Sequence, residues 1–443
     1  MLPDAAVVPA GPTPSLPISD LIQGCVERWW ASPSTTPDFG PRYTISEQSA
    51  REARLSQLAE AVGAEIQQPP RTWAAQRAVQ QRYVAQASRL AQFALGFAPD
   101  DLEAMRVSDF ADLLLGYARE ARRFDPHLAL PDIIQAGRNV MSAGLLQVLL
   151  GRPLELTPAI LAYSLLYPFS DNILDDPTLS STAKKTFNQR FRRRLAGQRQ
   201  APLDEREAAI DRLVGMIEGQ YDRRQYPRVF ASLLAIHAAQ TRSLELMRAS
   251  AAPYEVDLLG VTFDKGGTSV LADAYLVAGE LTPREETFAF ELGAFLQFVD
   301  DLEDVETDLA AGRLSVFALA ARGGWRLDAL TNRTLHFGAG VLAGLDGLGM
   351  PAAADAQRFL QRGLNQALIH TAGRLRRRYT PTYRCELESH TPFRFAFVER
   401  LSGRLSRQMA RGLPQLAAAN LDLGPAAPSR DHRRPEPAVS AVG

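Results

Sequence analysis

Two acidic clusters carry the chemistry that this chain's residues can do. The first is Asp171-Asn-Ile-Leu-Asp175-Asp176. The second is Gln297-Phe-Val-Asp300-Asp301-Leu-Glu-Asp304-Val-Glu-Thr-Asp308. Residues four apart stack on one face of a helix, so Asp171 and Asp175 point one way, as do Asp300, Asp304 and Asp308. Hard divalent cations such as Mg²⁺ take oxygen ligands: one or two carboxylates, waters and the phosphate oxygens of a substrate. Two facing carboxylate pairs would supply that set, with a diphosphate between them. The expected metal ligands are Asp171, Asp175 and Asp176 on one side and Asp300, Asp301, Asp304 and Asp308 on the other. Asp171, Asp175, Asp300 and Asp304 are the expected catalytic core.

Helices must position these groups. Thr157-Pro158 opens the first, with Thr as N-cap and Pro pre-organised at the first helical position. Pro168 lies inside it and predicts a kink, and Pro177 ends it. Thr282-Pro283-Arg284-Glu285 opens the second with capping-box spacing. Gly312 is its expected C-cap. That span predicts one helix of about 28 residues, ~42 Å at 1.5 Å per residue. Carboxylates near its C-terminal end oppose the helix dipole and repel one another, penalties that a bound cation removes.

The two clusters also bear a family resemblance. Gln297-x-x-Asp300-Asp301-x-x-Asp304 resembles the second aspartate-rich motif of all-trans prenyl diphosphate synthases. Asp171-x-x-x-Asp175-Asp176 resembles the first motif of squalene and phytoene synthases, and Asp304-x-x-x-Asp308 followed by Gly312-Arg313 also resembles that group, in its second motif. Both groups belong to the class I isoprenoid synthase superfamily, which also contains the class I terpene synthases. The resemblance covers residues 130–400. It implies an all-α bundle around a central pocket, with Mg²⁺ (three ions alongside the diphosphate) ionising an allylic prenyl diphosphate. Two departures stand out. Chain-elongating synthases follow the first motif with an arginine pair, where this chain has Pro177-Thr-Leu-Ser-Ser-Thr. The squalene-type second motif has an acidic residue where this chain has Thr307. The missing arginine pair tilts the reading toward one substrate.

Lys265-Gly266-Gly267-Thr268-Ser269 is the strongest anion-site candidate. Paired glycines in a helical pattern predict a break that exposes backbone N–H groups beside a Lys. The prenyl synthases place a Lys-Thr pair at such a break. Arg138 lies upstream of the first motif, and Arg378-Tyr379 resembles a late Arg-Tyr pair of terpene synthases. Lys265, Arg138, Arg378 and Tyr379 are therefore the expected diphosphate ligands. The run Arg190 to Arg194 reads instead as a solvated face. One or two turns before the acidic groups lie Tyr163, Ser164 and Tyr167, and Gly293, Leu296 and Gln297. These are the expected pocket lining, whose tyrosine rings could stabilise a carbocation.

Composition sets the remaining limits. The 443 residues are 46% hydrophobic, enough for a large core, and the net charge of −1 gives no bulk attraction to nucleic acid. Two cysteines are too few for a zinc site or disulfide framework. No apolar run is long enough for a transmembrane helix, and without a basic start and apolar run at the N-terminus no signal peptide is expected. A cytoplasmic enzyme is expected, with peripheral membrane contact and a homodimer both left open. Residues 1–18 read as a flexible leader and 425–443 as a disordered tail. A single all-α domain is expected over 19–424, with 19–125 either an added layer or its first helices. Three functions compete: a terpene synthase that cyclises or rearranges one prenyl cation, a synthase that joins two prenyl diphosphates, and a non-catalytic helical binding protein.

Overall fold

The computed structural model describes residues 16–66, 99–174, 179–246, 256–349, 353–404 and 407. The expected leader and tail, and Asp175 and Asp176, lie outside these residues apart from 16–18. The first half contains α1 (Ile18–Ala31), α2 (Ile45–Ile66), α3 (Pro99–Ala104), α4 (Val107–Phe124), α5 (Leu130–Leu149), α6 (Pro158–Leu174), α7 (Ser181–Leu195) and α8 (Glu205–Gln220). Then come α9 (Pro227–Leu246), α10 (Leu258–Ala278), α11 (Pro283–Glu303), α12 (Val305–Ala311), α13 (Val316–Arg322), α14 (Asp328–Leu342), α15 (Ala353–Arg374) and α16 (Pro381–Ser389). Among the described residues there is no strand, and this part of the chain is all-α. No described helix is long and apolar enough to cross a membrane.

Two of the helix starts follow directly from local chemistry. The Thr282 hydroxyl accepts from the Glu285 amide at 3.3 Å, and the Glu285 carboxylate accepts from the Thr282 amide at 2.7 Å. This reciprocal box satisfies two donors that the first turn of α11 would otherwise leave bare. The Thr157 hydroxyl accepts from the Ile160 amide at 3.2 Å and starts α6, which runs through Pro168 to Leu174.

The core is built around α10 and α11. α10 packs against α1, α5, α6, α9 and α11, and α11 packs against α1, α13, α14 and α15 as well. Trp29, Phe263, Phe298, Phe317 and Phe337 interlock, with Trp29 and Phe298 ring centroids 4.4 Å apart. Such aromatic pairs add to the area they remove from water. Trp29 thereby makes α1 part of this same core. The Arg28 guanidinium donates to buried Glu291 at 2.9 Å and fixes α1 against α11.

Three expectations need correction. The Gly266-Gly267 pair does not break a helix, since α10 is continuous through Lys265 and Thr268. The glycines instead let α10 and α11 touch. A methyl added to Gly266 would lie 2.5 Å from the Gly293 carbonyl oxygen and from Gln297 Cβ, and one on Gly267 would strike the Phe290 ring. Close helix approach, rather than an exposed amide nest, is what these residues serve. The second acidic helix is also not one span. It turns at Asp304 (φ −92°, ψ 3°) and resumes as α12, which Gly312 closes in the left-handed region at φ 69°. The turn falls where Asp300, Glu303 and Asp304 crowd together, and like charges one turn apart repel. Finally, the run Arg190 to Arg194 is not simply a solvated face. Arg194 is buried, paired with Asp211 and with both oxygens of Glu218, and Arg190 forks onto Glu207.

Candidate functional site

The second acidic cluster gathers at the junction of α11 and α12, beside α10. Gly293, Gln297 and Asp301 form one stripe of α11. Gly293 and Gln297 lie against Gly266, and Gln297 Nε2 donates to Asp301 Oδ1 at 2.8 Å. Lys265, the neighbour of Gly266, is half-buried beside this stripe and acts electrostatically on Asp300, Asp301 and Asp308. Arg138 of α5 also acts on Asp300. Sequence positions 138, 265 and 300–308 are thus brought together by the packing of α5, α10, α11 and α12.

The electrostatics of the cluster are those of crowded, partly dehydrated acids. Burial pushes the Asp301 carboxyl up to about 7, against the pull of the Gln297 hydrogen bond and Lys265. Asp300 is raised first by burial, then by Glu303 and Asp304, with Lys265 and Arg138 opposing. Asp308 is raised by burial and by Asp304, with Ser315, Arg313 and Lys265 opposing. Partial loss of hydration disfavours the charged form in each case, even at Asp300, whose side chain remains exposed. Asp300, Glu303 and Asp304 are exposed, so this carboxylate set opens outward.

A stability signature follows. A carboxyl whose folded value lies above its unfolded value binds more protons when folded, so stability falls as pH rises across that window. For Asp301 the window runs from 3.8 to about 7. The metal-free protein should therefore lose less melting temperature between these pH values in Asp301→Asn than in the parent chain. Identical slopes in thermal melts would show that Asp301 is not the group concerned.

The donors are hard oxygens of the kind Mg²⁺ takes. Among the described residues, no group of three or more His, Cys, Asp or Glu side chains is by itself arranged to hold a metal. A cation here would need oxygens from elsewhere as well. The Asp171 backbone opens the last turn of α6, while its side chain and that of Tyr167 lie outside the described residues.

The other expected residues fall in several environments. Arg378 forks onto Glu306 of α12 at 2.9 and 3.0 Å, between Asp304 and Asp308 in sequence. Tyr379 is 1% exposed, and its hydroxyl is 2.7 Å from Thr331 Oγ1. Of the expected pocket lining, Ser164 is fully buried and Gly293 is taken up by the contact with α10. Tyr163 and Leu296 are half-buried against the core. A separate cleft between α7 and α8 is lined by Phe187, Phe191 and Ile210. Its Arg190 and Arg194 guanidiniums are already taken by carboxylates, so it offers no anion site.

Sequence reasoning passed over Asp273, a buried acid on the same helix as Lys265. Its one visible signal is a lone carboxylate in the apolar run Val270-Leu-Ala-Asp-Ala-Tyr-Leu-Val277. No protein-family model and no curated protein sequence matches this chain.

Proposed function

We propose that this chain is a Mg²⁺-dependent class I isoprenoid synthase that ionises an allylic prenyl diphosphate and cyclises or rearranges the resulting cation. One observation carries the reading. Two basic side chains from separate helices, Lys265 and Arg138, act on the same acidic cluster at Asp300–Asp308. A cluster of acids alone would be a cation sink. A cluster with two flanking cations suits a metal–diphosphate pair, whose charges are mixed in the same way.

In this reading Asp300, Asp301, Asp304 and Asp308 would hold the metal together with Asp171, Asp175 and Asp176, the ligands expected from the first acidic cluster. Bound Mg²⁺ would neutralise the charge that builds on the departing diphosphate. Lys265 and Arg138 bind diphosphate oxygens and orient the leaving group. Their positive charge matters most when the C–O bond is nearly broken, because that is when the leaving group's charge is greatest. Gln297 holds Asp301 by its hydrogen bond and so fixes one edge of the acidic group. Arg378 forks onto Glu306, between Asp304 and Asp308 in sequence, and so brings a further cation to this segment. The one-substrate form is preferred because no arginine pair follows Asp175-Asp176.

Thermal melting with Mg²⁺ alone, inorganic pyrophosphate alone and both together tests this assignment. Each ligand should raise the affinity of the other, so the joint rise in melting temperature should exceed the sum of the separate rises. Simple additivity would favour a binding protein with an incidental acidic surface.

A further inference from the structure

Asp273 stands on α10 two helical turns beyond Lys265 and is 2% exposed. Its Oδ1 accepts from Asn139 Nδ2 at 3.0 Å, and the same nitrogen donates to Ser164 Oγ at 3.1 Å. Asn139 belongs to α5 and directly follows Arg138. Ser164 belongs to α6, two turns before Asp171. A single amide thus joins the three helices that carry Arg138, Asp171 and Lys265.

An ionised carboxylate at this depth, with only uncharged partners, would be costly. Burial pushes Asp273 up to about 8, which favours the neutral acid. A neutral acid can accept from Asn139 on one oxygen and donate from the other. Leu146, Leu165 and Val140 beside these residues are fully buried, and apolar packing alone would hold the three helices together. It would not fix their rotation to a fraction of an ångström, which directional hydrogen bonds do.

We infer that Asp273 is a positioning residue that, through Asn139, sets the turn of α5 from which Arg138 reaches the acidic cluster. The inference rests on the proposal that Arg138 and Lys265 receive a diphosphate. Asn at position 273 keeps one acceptor and one donor, and Leu keeps neither at similar volume.

The test uses the full chain and calorimetric binding of inorganic pyrophosphate with Mg²⁺. Asp273→Leu should weaken binding about tenfold, and Asp273→Asn should restore it to within about twofold of the parent chain. In the Arg138→Gln background, Asp273→Leu should cause no further loss, because its effect passes through Arg138. Should Asp273→Leu fail to melt cooperatively, Asn139→Ala breaks the same link from α5 and should give the same non-additivity. Losses that multiply, or an Asp273→Asn as weak as Asp273→Leu, would overturn the positioning role alone. A parent chain that binds no Mg²⁺–pyrophosphate would overturn both this role and the functional proposal beneath it.

Discussion

Replacing Asp300 or Asp304 with Asn should lower turnover of an allylic diphosphate by ~10²–10³-fold, the usual effect of losing one preorganised electrostatic contact at a reacting centre. The same substitutions should leave the metal-free melting temperature unchanged or slightly higher. Asp300 sits beside Glu303 and Asp304, and each of these like charges raises its cost of ionisation. Asn removes that repulsion while keeping the shape of the side chain. The sign is the informative part. A residue kept for structure destabilises when removed, whereas a residue kept for a ligand does not. Steady-state release of pyrophosphate with Mg²⁺, alongside melting without it, reads both quantities. A variant that retains full activity would remove its aspartate from the proposed metal set.

Lys265→Ala should act in the opposite direction in the metal-free protein. Lys265 is the cation common to Asp300, Asp301 and Asp308, and without it the three acids lose their shared counter-charge. Apo stability above pH 7 should fall by up to ~1 kcal/mol, the range of a partly solvated ion pair. Turnover should also fall, by ~10²-fold, through the loss of one group that stabilises the leaving diphosphate. Pyrophosphate should bind more weakly at every Mg²⁺ concentration. A Lys265→Ala protein that binds pyrophosphate as tightly as the parent chain would place the lysine outside the site.

How far the sequence could be read depends on the range of the interaction that decides each feature. The start of α11 was legible because Thr282, Pro283 and Glu285 cap the helix within four residues of one another. The start of α6 at Thr157-Pro158 was legible for the same reason. The grouping of Asp300, Asp304 and Asp308 followed from helical spacing, although the turn at Asp304 did not. The Gly266-Gly267 pair misled, because its cost is offset by Gly293 and Phe290 on another helix, which local propensity does not register. Arg194 misled likewise. Its carboxylate partners, Asp211 and Glu218, come from the next helix, and a run of arginines alone cannot show that they are there. Asp273 needed both Asn139 and Ser164, distant in sequence, before its burial made sense. The all-α class was within reach of composition and periodicity. The arrangement of helices that brings Arg138 to Asp300 was not.

The most direct measurement is incubation of the purified chain with Mg²⁺ and allylic prenyl diphosphates of increasing chain length, singly and in pairs, with products and inorganic pyrophosphate quantified. The proposal predicts Mg²⁺-dependent pyrophosphate release from a single substrate, together with a cyclised or rearranged hydrocarbon or alcohol. Product only from paired substrates would replace cyclisation with coupling. Recovery of every prenyl diphosphate intact, with no pyrophosphate released at any chain length, would contradict the assignment of this chain as an isoprenoid synthase.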